Sequence, residues 1–390
     1  MFFVDKPYIS DFFKKTVRDN AIPVVGTEIA NELNLYPGTK IINETEAVKI
    51  AEESGSFSLY TTSENSIGWI SKHLSFSDFP EKIDLFKNKS KFRELTKSIF
   101  PDFYFKTVKA EDLSSLNFSE IPLPIIIKPS TGFMSMGVYK VVNSDQWNRT
   151  IDCILEEIDQ TKEIYPPEVV DTSLFIIEEC IRGVEFAMDA YYDSNGEVVI
   201  LSILKHSFSS DDDVSDRVYT TSKEIIESNL EEFTLFAAKI GALAKIKNFP
   251  VHIELRRDSN GALVPIEINP VRFGGWCTTA DLTYLAYGFN PYLYYYSQIK
   301  PDWQKILKEK EGKLFSVIIL GNSTGVEIEK ITSFDYEKLL SEFENPLELR
   351  KINYKEYPVF GFLFTETSAG NAVELKKILD SDLKEFISTS

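Results

Sequence analysis

One short stretch, residues 251–276, concentrates side chains that can bind a cation, and it reads VHIELRRDSNGALVPIEINPVRFGGW. Its pair Asn260-Gly261 is typical of a two-residue type I′ hairpin loop, because both central positions of that turn require a positive φ. With those two residues as the loop, Ser259 pairs with Ala262. The sequence therefore predicts a β-hairpin whose remaining pairs follow by counting outward.

Four polar side chains lie on one face of this predicted hairpin. The count sets Glu254 across from Glu267 and His252 across from Asn269, and the alternation of side chains along a strand places all four on the same face. The opposite face is apolar and is formed by Ile253, Leu255, Ile266 and Ile268. Directly paired residues have Cβ atoms about 4.5–5.5 Å apart, so two carboxylates there destabilise the sheet unless a cation lies between them. Because carboxylate and carboxamide oxygens suit magnesium, we predict a metal site at Glu254, Glu267 and Asn269. The alternative is a solvated hairpin with two acidic residues on its wet face.

Residues that suit a bound ligand follow the hairpin at once. Arg272 supplies a cation, and Gly274 and Gly275 allow a ligand to approach the backbone closely. The ring of Trp276 adjoins the two glycines. We therefore expect a substrate pocket at this loop, with His252 contributed from the hairpin.

A second candidate site is the segment IIIKPSTGFMSMGV, a strand that ends at Lys128 and leads into a loop containing Gly132, Ser135 and Gly137. It is not a Walker loop, because Val138-Tyr139 stands where that motif requires Lys followed by Ser or Thr. The loop amides and the Ser135 hydroxyl could cover phosphates above Lys128. The apolar residues at the loop tip fit either a lid that closes onto a ligand or core packing.

Several elements must position these residues. The length of 390 residues predicts two or three domains. Residues 1–87 alternate short apolar runs with helical patterns, which favours an open α/β domain with parallel strands, and residues 301–390 indicate an α+β subdomain. Residues 88–100 predict a helix with Lys89 and Arg93 one turn apart. Residues 209–224 are polar and acidic and are interpreted as a loop.

The composition of the chain limits the classes of partner that it can bind. The net charge is −18, with 60 acidic and 42 basic residues, which argues against a nucleic-acid backbone or an anionic membrane as the principal partner. The 3 cysteines have no paired spacing, so neither a disulfide framework nor a cysteine-based zinc site is indicated. The chain has neither a signal-like start nor a run of about 18 apolar residues. We expect a soluble, cytoplasmic protein.

Four segments in this order resemble the ATP-grasp superfamily: IIIKPSTGFMSMGV, FIIEECIRGVEF, ILSILK and HIELRRDSNGALVPIEINP. The similarity covers approximately residues 88–295. It implies an ATP-grasp fold built from α/β and α+β domains. The ATP-grasp domain would span residues 88–300, with a nucleotide lid at about residues 111–180, and residues 1–87 would be the pre-ATP-grasp domain.

The resemblance also implies a role for each matching residue. Lys128 would contact the nucleotide phosphates, residues 130–137 would close over them, and Lys89 or Arg93 would take the upstream cationic position. The other implied contacts are adenine at Glu178 and the backbone near Ile181, ribose hydroxyls at Glu185, phosphate at Lys205, and magnesium at Glu254, Glu267 and Asn269.

The segment RFGGW further resembles the amino-acid ligases of this superfamily. In those enzymes the arginine steadies an acyl-phosphate intermediate and the tryptophan shapes the substrate pocket, which implies these roles for Arg272 and Trp276. One departure is that Arg272 lies five residues after Glu267 rather than the family's four, with Val271 inserted.

The implied activity is that of an ATP-dependent carboxylate–amine ligase, with Arg272 and Lys205 as catalytic residues. ATP and Mg²⁺, or Mn²⁺ in its place, would be required, and the partners would be small carboxylates and amines such as amino acids rather than nucleic acid or membrane. A homodimer is one of the oligomeric states that the sequence leaves open. The alternatives are a small-molecule kinase that stops at phosphorylation and an ATP-binding module without catalysis.

Overall fold

The first domain of the computed structural model is the predicted open α/β unit. The structure describes residues 1–55, 57–132, 137–161, 171–210, 213 and 215–389, and the side chains of residues 157–161 and 171–172 are not described. A parallel sheet of order β3-β2-β1-β4 carries helices between its strands. Its elements are β1 (Phe2–Phe3), α1 (Asp11–Asp19), β2 (Val24–Val25), α2 (Glu28–Glu32), β3 (Ile41–Ile42), α3 (Glu44–Ser54) and β4 (Tyr60–Thr61). The parallel topology confirms the prediction from alternating apolar and helical patterns.

Three helices lead from this domain into the rest of the chain. They are α4 (Ile67–His73), α5 (Phe79–Lys87) and α6 (Lys89–Thr96). Asn88 caps α6, because its side-chain oxygen accepts a hydrogen bond from the backbone nitrogen of Lys91 at 3.0 Å. The capping residue directly precedes Lys89, the first residue of α6, and Arg93 follows one turn later.

A small antiparallel sheet with one covering helix forms the segment that the resemblance implies as a lid, and we call this unit the lid. Its elements are β5 (Phe105–Lys109), β6 (Ile125–Thr131), β7 (Tyr139–Val141), α7 (Ser144–Thr161) and β8 (Asp171–Glu179), in sheet order β5-β8-β6-β7. The lid has its own core, which includes Ile125, Trp147 and Phe175. The first strand of this sheet begins at Phe105, which pairs with Glu178.

An eight-stranded antiparallel sheet forms the centre of the described molecule, in the order β13-β12-β9-β10-β11-β14-β17-β16. Its first part consists of β9 (Val184–Tyr192), β10 (Val198–Ser207), β11 (Val218–Ser222), α8 (Lys223–Ala244), β12 (Phe249–Arg257) and β13 (Leu263–Pro270). The prediction of a loop over residues 209–224 is wrong at its end, because residues 218–222 pair with β14 and residues 218–220 also pair with β10. Four of its five residues, Val218, Thr220, Thr221 and Ser222, are buried, so this polar segment serves as an interior strand.

The remaining elements extend the same sheet and cover it. They are α9 (Thr278–Tyr287), α10 (Pro291–Tyr296), α11 (Trp303–Ile306), β14 (Lys313–Gly321), β15 (Ile331–Phe334), α12 (Tyr336–Leu340), β16 (Pro346–Lys351), β17 (Val359–Ser368), α13 (Val373–Asp380) and β18 (Ile387–Thr389). Three of the strands after residue 301 continue the central sheet, whereas β15 and β18 form a separate pair. Within the described residues no helix is long and apolar enough to cross a membrane.

Candidate active site

The hairpin of β12 and β13 brings the predicted polar face together. Glu254 pairs with Glu267 and His252 pairs with Asn269, as the count from the sequence predicts. Ile253, Leu255 and Ile268 are buried on the other face, with at most 2 % of their surface exposed. We call the face that bears His252, Glu254, Glu267 and Asn269 the carboxylate face.

The turn itself differs from the prediction. Asp258 rather than Ser259 pairs with Ala262, so the loop has three residues, and of these Gly261 takes the positive φ of 86°. The side chain of Asp258 stabilises this turn by accepting hydrogen bonds from the backbone nitrogens of Asn260 and Ala262, both at 2.8 Å. The prediction that Ser259 pairs with Ala262 is therefore wrong.

A β-bulge compensates for the longer loop. The register shifts between Glu254 and Leu255, because Ile266 is an extra residue that faces no partner. Arg93 of α6 holds the bulge: it donates to the backbone oxygens of Pro265 at 2.7 Å and Ile266 at 3.3 Å. The two deviations cancel, so Glu254 and Glu267 remain opposite each other.

The two opposed carboxylates have different electrostatic surroundings. Burial opposes the ionisation of Glu267, but the charges of Lys89, Lys128 and Lys87 outweigh it and hold its pKa well below the usual range. Lys89 Nζ lies 3.2 Å from Glu267 Oε2. For Glu254, burial and the charge of Glu267 raise the pKa. The hairpin therefore carries one stabilised and one destabilised carboxylate charge.

His252 lies beside Glu254 and is held by a residue on β9. Its Nδ1 donates to Asp189 Oδ1 at 2.7 Å, and its Nε2 lies 3.5 Å from Glu254 Oε1. Burial alone would favour the neutral ring, but the hydrogen bonds and charges of Asp189 and Glu254 raise the pKa of His252 to about 9. The imidazole is thus a cation on the carboxylate face at neutral pH.

The donor set on this face fits a hard divalent cation with few protein ligands. Two carboxylates and the carboxamide of Asn269, whose Nδ2 lies 3.2 Å from Glu267 Oε1, supply oxygen ligands. Across the described residues there is no group of three or more His, Cys, Asp or Glu side chains placed to hold a metal ion. A metal here would consequently take the remaining ligands from water and substrate.

Lys128 lies on strand β6 of the lid, in an ion-paired cluster. Lys128 Nζ is 2.5 Å from Glu178 Oε1, and Arg93 Nε donates to Glu178 Oε2 at 2.8 Å. Burial opposes the charge of Glu178, but Arg93 and Lys128 together lower its pKa to about 2. The carboxylate of Glu178, which the resemblance assigns to adenine, is bound on both oxygens by protein cations.

The start of the glycine loop is anchored to α5 and α6. The backbone oxygen of Gly132 accepts from Lys87 Nζ at 3.2 Å and from Lys89 Nζ at 3.4 Å. Ser130 Oγ donates to Asn88 Oδ1 at 2.9 Å. Gly137, where the described chain resumes, has a φ of 66°. Ser135, the residue predicted to cover phosphates, lies outside the described residues.

A large cavity lies next to the segment that joins the lid to the central sheet, residues 180–184, which we call the hinge. The cavity has a volume of about 1540 Å³, and its lining includes Ile181, Glu185, His206 and Arg256. Glu185 Oε1 accepts from His206 Nδ1 and Oε2 accepts from Arg256 Nε, both at 2.8 Å. Arg256 Nη1 also donates to the Ile181 backbone oxygen at 2.5 Å. Both carboxylate oxygens of Glu185, the residue predicted to hold ribose, therefore accept hydrogen bonds from His206 and Arg256.

The structure places Lys205 away from the carboxylate face, although Lys205 also lines the cavity beside the hinge. Lys205 pairs with Phe186, so its side chain lies on the face of the sheet opposite to Glu185 and Asp189. The cause is a β-bulge between Ile200 and Ser202, since a shift of one residue moves every later side chain to the other face. His206 lies on the carboxylate face instead.

Arg272 is oriented by the first domain. Arg272 Nη2 donates to Glu64 Oε1 at 2.9 Å, and Glu64 also pairs with Lys87. The inserted Val271 has a φ of 55°, which is rare for a β-branched residue, and its backbone oxygen accepts from Thr61 N at 2.8 Å. The extra residue thus turns the chain towards β4 and places Arg272 beside Glu64.

The predicted pocket residues lie in a strained loop, residues 271–277, which we call the substrate loop. Trp276 and Cys277 also have positive φ values, of 57° and 59°. Such residues cost on the order of 1–3 kcal/mol each and collect at functional sites. Trp276 packs against Tyr8, Tyr357 and Phe362, with ring centroids 6.3, 5.2 and 5.4 Å away.

The two loop glycines differ in their surroundings. A Cβ atom on Gly274 would come within 2.4 Å of the Thr279 side chain, whereas one on Gly275 would meet nothing within 4 Å. Gly274 is therefore needed for packing, and Gly275 faces open space where a ligand could approach.

Several residues of the site escaped the sequence analysis. Glu64, Lys87 and Asp189 carry no local motif, and they reach the site only through tertiary packing. His206 and Arg256 could have been found by extending the strand count from Glu185, but only with knowledge of the two bulges.

Comparison with known proteins supports the same fold. Residues 121–280 match a family described as the ATP-grasp domain. No curated protein sequence matches the chain. Among solved structures, an L-amino acid ligase from Bacillus licheniformis aligns with a TM-score of 0.65 at 15 % identity, covering 100 % of this chain and 98 % of that one.

Two further solved structures cover almost the whole chain. Biotin carboxylase from Campylobacter jejuni, solved with β,γ-ATP, aligns with a TM-score of 0.63 at 13 % identity, over 100 % of this chain and 92 % of that one. N5-carboxyaminoimidazole ribonucleotide synthetase from Thermotoga maritima gives 0.59 at 15 % identity, over 99 % and 98 %. Residues 121–280 thus match the ATP-grasp domain, and the chain as a whole has the fold of these solved structures, as the resemblance predicted.

Proposed function

We propose that this protein is an ATP-dependent carboxylate–amine ligase that acts on amino acids through an acyl phosphate. The observation that carries the proposal is the convergence of cations on two opposed carboxylates. The charges of Lys87, Lys89 and Lys128 all act on Glu267, and the charges of Glu267 and Glu254 act on Arg272. A site for phosphoryl transfer needs this combination of metal-binding oxygens and phosphate-binding cations.

The nucleotide would bind between the hinge cavity and the lysines. The base and ribose fit the cavity beside Ile181 and Glu185, and the phosphates extend towards Lys128 and Lys89. Glu254, Glu267 and Asn269 would hold magnesium, which neutralises phosphate charge when bound. With Glu267 as a metal ligand, Lys89 would be available to contact phosphate oxygens.

The reaction has two steps. A carboxylate oxygen of the acid attacks the γ-phosphorus of ATP, and ADP leaves, which gives an acyl phosphate. The amine nitrogen then attacks the carbonyl carbon, phosphate leaves, and the nitrogen loses a proton. Arg272 stabilises the negative charge on the acyl phosphate, and Trp276 limits the shape of the acid.

The proposal favours amino acids because the loop carrying Arg272 and Trp276 resembles that of amino-acid ligases. The structural likeness to an L-amino acid ligase over the full length of the chain is consistent with this substrate class. Glu64 and Lys87, from the helices before the lid, would complete the charged side of the acid pocket.

The test is phosphate release from ATP across a panel of amino acids, with hydroxylamine as the amine. A ligase releases phosphate only when a suitable acid is present and yields a hydroxamate. The Glu254→Gln variant, purified in parallel, controls for contaminating ATPase activity. A stable phosphorylated product without hydroxamate would identify a kinase, and tight ATP binding without turnover across the panel would identify a binding module.

A further inference from the structure

Asp189 lies at the centre of the site, on β9 between β10 and β12. It pairs with His252 on one side and with Ser202 on the other. Its surface is 0 % exposed. A buried carboxylate destabilises the folded state unless hydrogen bonds offset the loss of water, so the contacts of Asp189 are needed to keep it in this position.

One oxygen of Asp189 joins two segments that are distant in sequence. Asp189 Oδ1 accepts from His252 Nδ1 at 2.7 Å and from the backbone nitrogen of Gly274 at 3.0 Å. Asp189 Oδ2 is buried, with no hydrogen-bond partner in the described part of the chain. The first contact holds the carboxylate face and the second holds the substrate loop, so a single oxygen ties the two together.

The backbone conformation of the substrate loop depends on hydrogen bonds of this kind. Three of its residues, Val271, Trp276 and Cys277, have left-handed backbone conformations, which persist only where neighbouring contacts fix them. The Gly274 nitrogen lies between these residues and also donates to Thr279 Oγ1 at 2.9 Å. Asp189 and Thr279 thus hold the middle of the loop from two sides.

We propose that Asp189 is a positioning residue that fixes the substrate loop against the carboxylate face and so sets where Arg272 and Trp276 meet the acid. The proposal rests on the proposed function, because it assigns the loop to acid binding. Asp189 acts through His252 and Gly274 and does not touch the substrate.

The experiment compares Asp189→Ala, Asp189→Asn and Asp193→Ala with the parent. Asparagine keeps an oxygen that can accept both hydrogen bonds, whereas alanine removes it. Asp193 is a matched control, because it is also buried and its Oδ1 also accepts two backbone nitrogens, those of Asn195 and Glu197, in the turn after β9. It has the same structural character without contact to the substrate loop.

The kinetic readout separates positioning from general stability. Asp189→Ala should raise the KM for the acid at least tenfold while the affinity for magnesium ATP stays within about twofold of the parent, and Asp189→Asn should recover most of that loss. Asp193→Ala should lower the Tm without raising the acid KM. An acid KM that is unchanged in folded Asp189→Ala, or an equal loss of acid and ATP affinity, would overturn the proposal.

Hydrogen exchange provides a readout that does not depend on ligase activity. Asp189→Ala should accelerate amide exchange in residues 271–277 by at least tenfold, with the strands on either side of β9 still protected. If Asp189→Ala does not fold, Thr279→Ala serves instead, because it removes the second acceptor of the Gly274 nitrogen and should accelerate exchange in the same residues. Exchange that is unchanged, or accelerated throughout the sheet, contradicts the proposal that Asp189 fixes the substrate loop. If the parent shows no acid-dependent phosphate release, the proposed function is refuted. The exchange result then still decides whether Asp189 fixes the substrate loop.

Discussion

Two pairs of carboxylates near the predicted nucleotide site differ in their exposure and in how completely protein cations bind their oxygens. Near the hinge, the side chains of Glu178 and Glu185 are 3 % and 9 % exposed, and both oxygens of each are bound by Arg, Lys or His. On the hairpin, Glu254 and Glu267 are 25 % and 26 % exposed and face each other. We infer that the hinge pair stabilises the protein and that the hairpin pair binds a ligand.

This contrast revises the roles that the resemblance implies for the hinge. Glu178 and Glu185 were matched to adenine and ribose contacts, but their carboxylates fix Lys128, Arg93, His206 and Arg256. A nucleotide can meet the backbone of the hinge while these carboxylates hold the surrounding cations in place. The predictions below test the two pairs against each other.

The largest effect is expected from Glu178→Ala. Removal of this carboxylate leaves Lys128 and Arg93 as buried charges without their partner, and breaking a buried pair in this way costs about 3–5 kcal/mol. The free energy of unfolding from urea titration at pH 7 measures the loss. The control is Glu94→Gln, whose side chain is 62 % exposed and whose oxygen is 3.8 Å from Lys97 Nζ, and which should cost under about 0.5 kcal/mol. A loss as small as that of the control would contradict a stabilising role for Glu178.

The acid stability of the protein should depend on the same residue. Two buried cations lower the pKa of Glu178 from 4.5 to about 2 in the folded state. A lowered folded pKa means that this stabilisation is present above pH 4.5 and is lost as the pH falls towards 2. The difference in unfolding free energy between the parent and Glu178→Gln should therefore shrink across this window. A difference that stays constant from pH 5 to pH 2.5 would exclude the linkage.

A smaller and asymmetric effect is expected on the hairpin without ligand. Glu267→Gln removes the partner of Lys89 and should destabilise the protein by about 1–2 kcal/mol, reduced by partial exposure. Glu254→Gln should be neutral or slightly stabilising, because burial and Glu267 already disfavour the Glu254 charge. Urea titrations of the two variants in the presence of a chelator measure this asymmetry. Equal losses would show that the two carboxylates are equivalent.

The smallest effect is expected at Trp276. Trp276→Leu should change the relative kcat/KM for small and large acids by about tenfold, which is typical of a change in the shape of an apolar pocket. Trp276→Phe keeps an aromatic ring against Tyr8 and Tyr357 and serves as the matched control, with a smaller change. A preference order that is identical in all three proteins would remove Trp276 from the acid pocket.

The sequence predicted those parts of the site that depend on local strand pairing. The hairpin, its two faces and the pairing of Glu254 with Glu267 followed from one turn signal and from alternation. The count succeeded although the loop is one residue longer than predicted, because the bulge at Ile266 restores the register. Patterns of period two are therefore reliable only when bulges are absent or cancel.

The face on which Lys205 lies, whose role the resemblance alone implied, depends on a bulge that is not compensated. The shift between Ile200 and Ser202 turns Lys205 away from the carboxylate face, and nothing local in the segment VVILSILK signals it. The inserted Val271 could be seen in the sequence, but its left-handed conformation depends on Thr61, and Arg272 depends on Glu64. These partners lie about 210 residues away in the chain, so only the tertiary structure reveals them.

The most direct test of the distinction between the two pairs is the stabilisation that magnesium ATP confers by binding the folded state. A ligand at 100 times its Kd adds about 2.7 kcal/mol. Thermal melts with and without magnesium ATP should show a full shift for the parent and for Glu197→Gln, whose exposed side chain pairs with Lys300. Glu254→Gln and Glu267→Gln should lose most of that shift. Equal shifts in all four proteins would contradict the assignment of the hairpin carboxylates to metal and nucleotide binding.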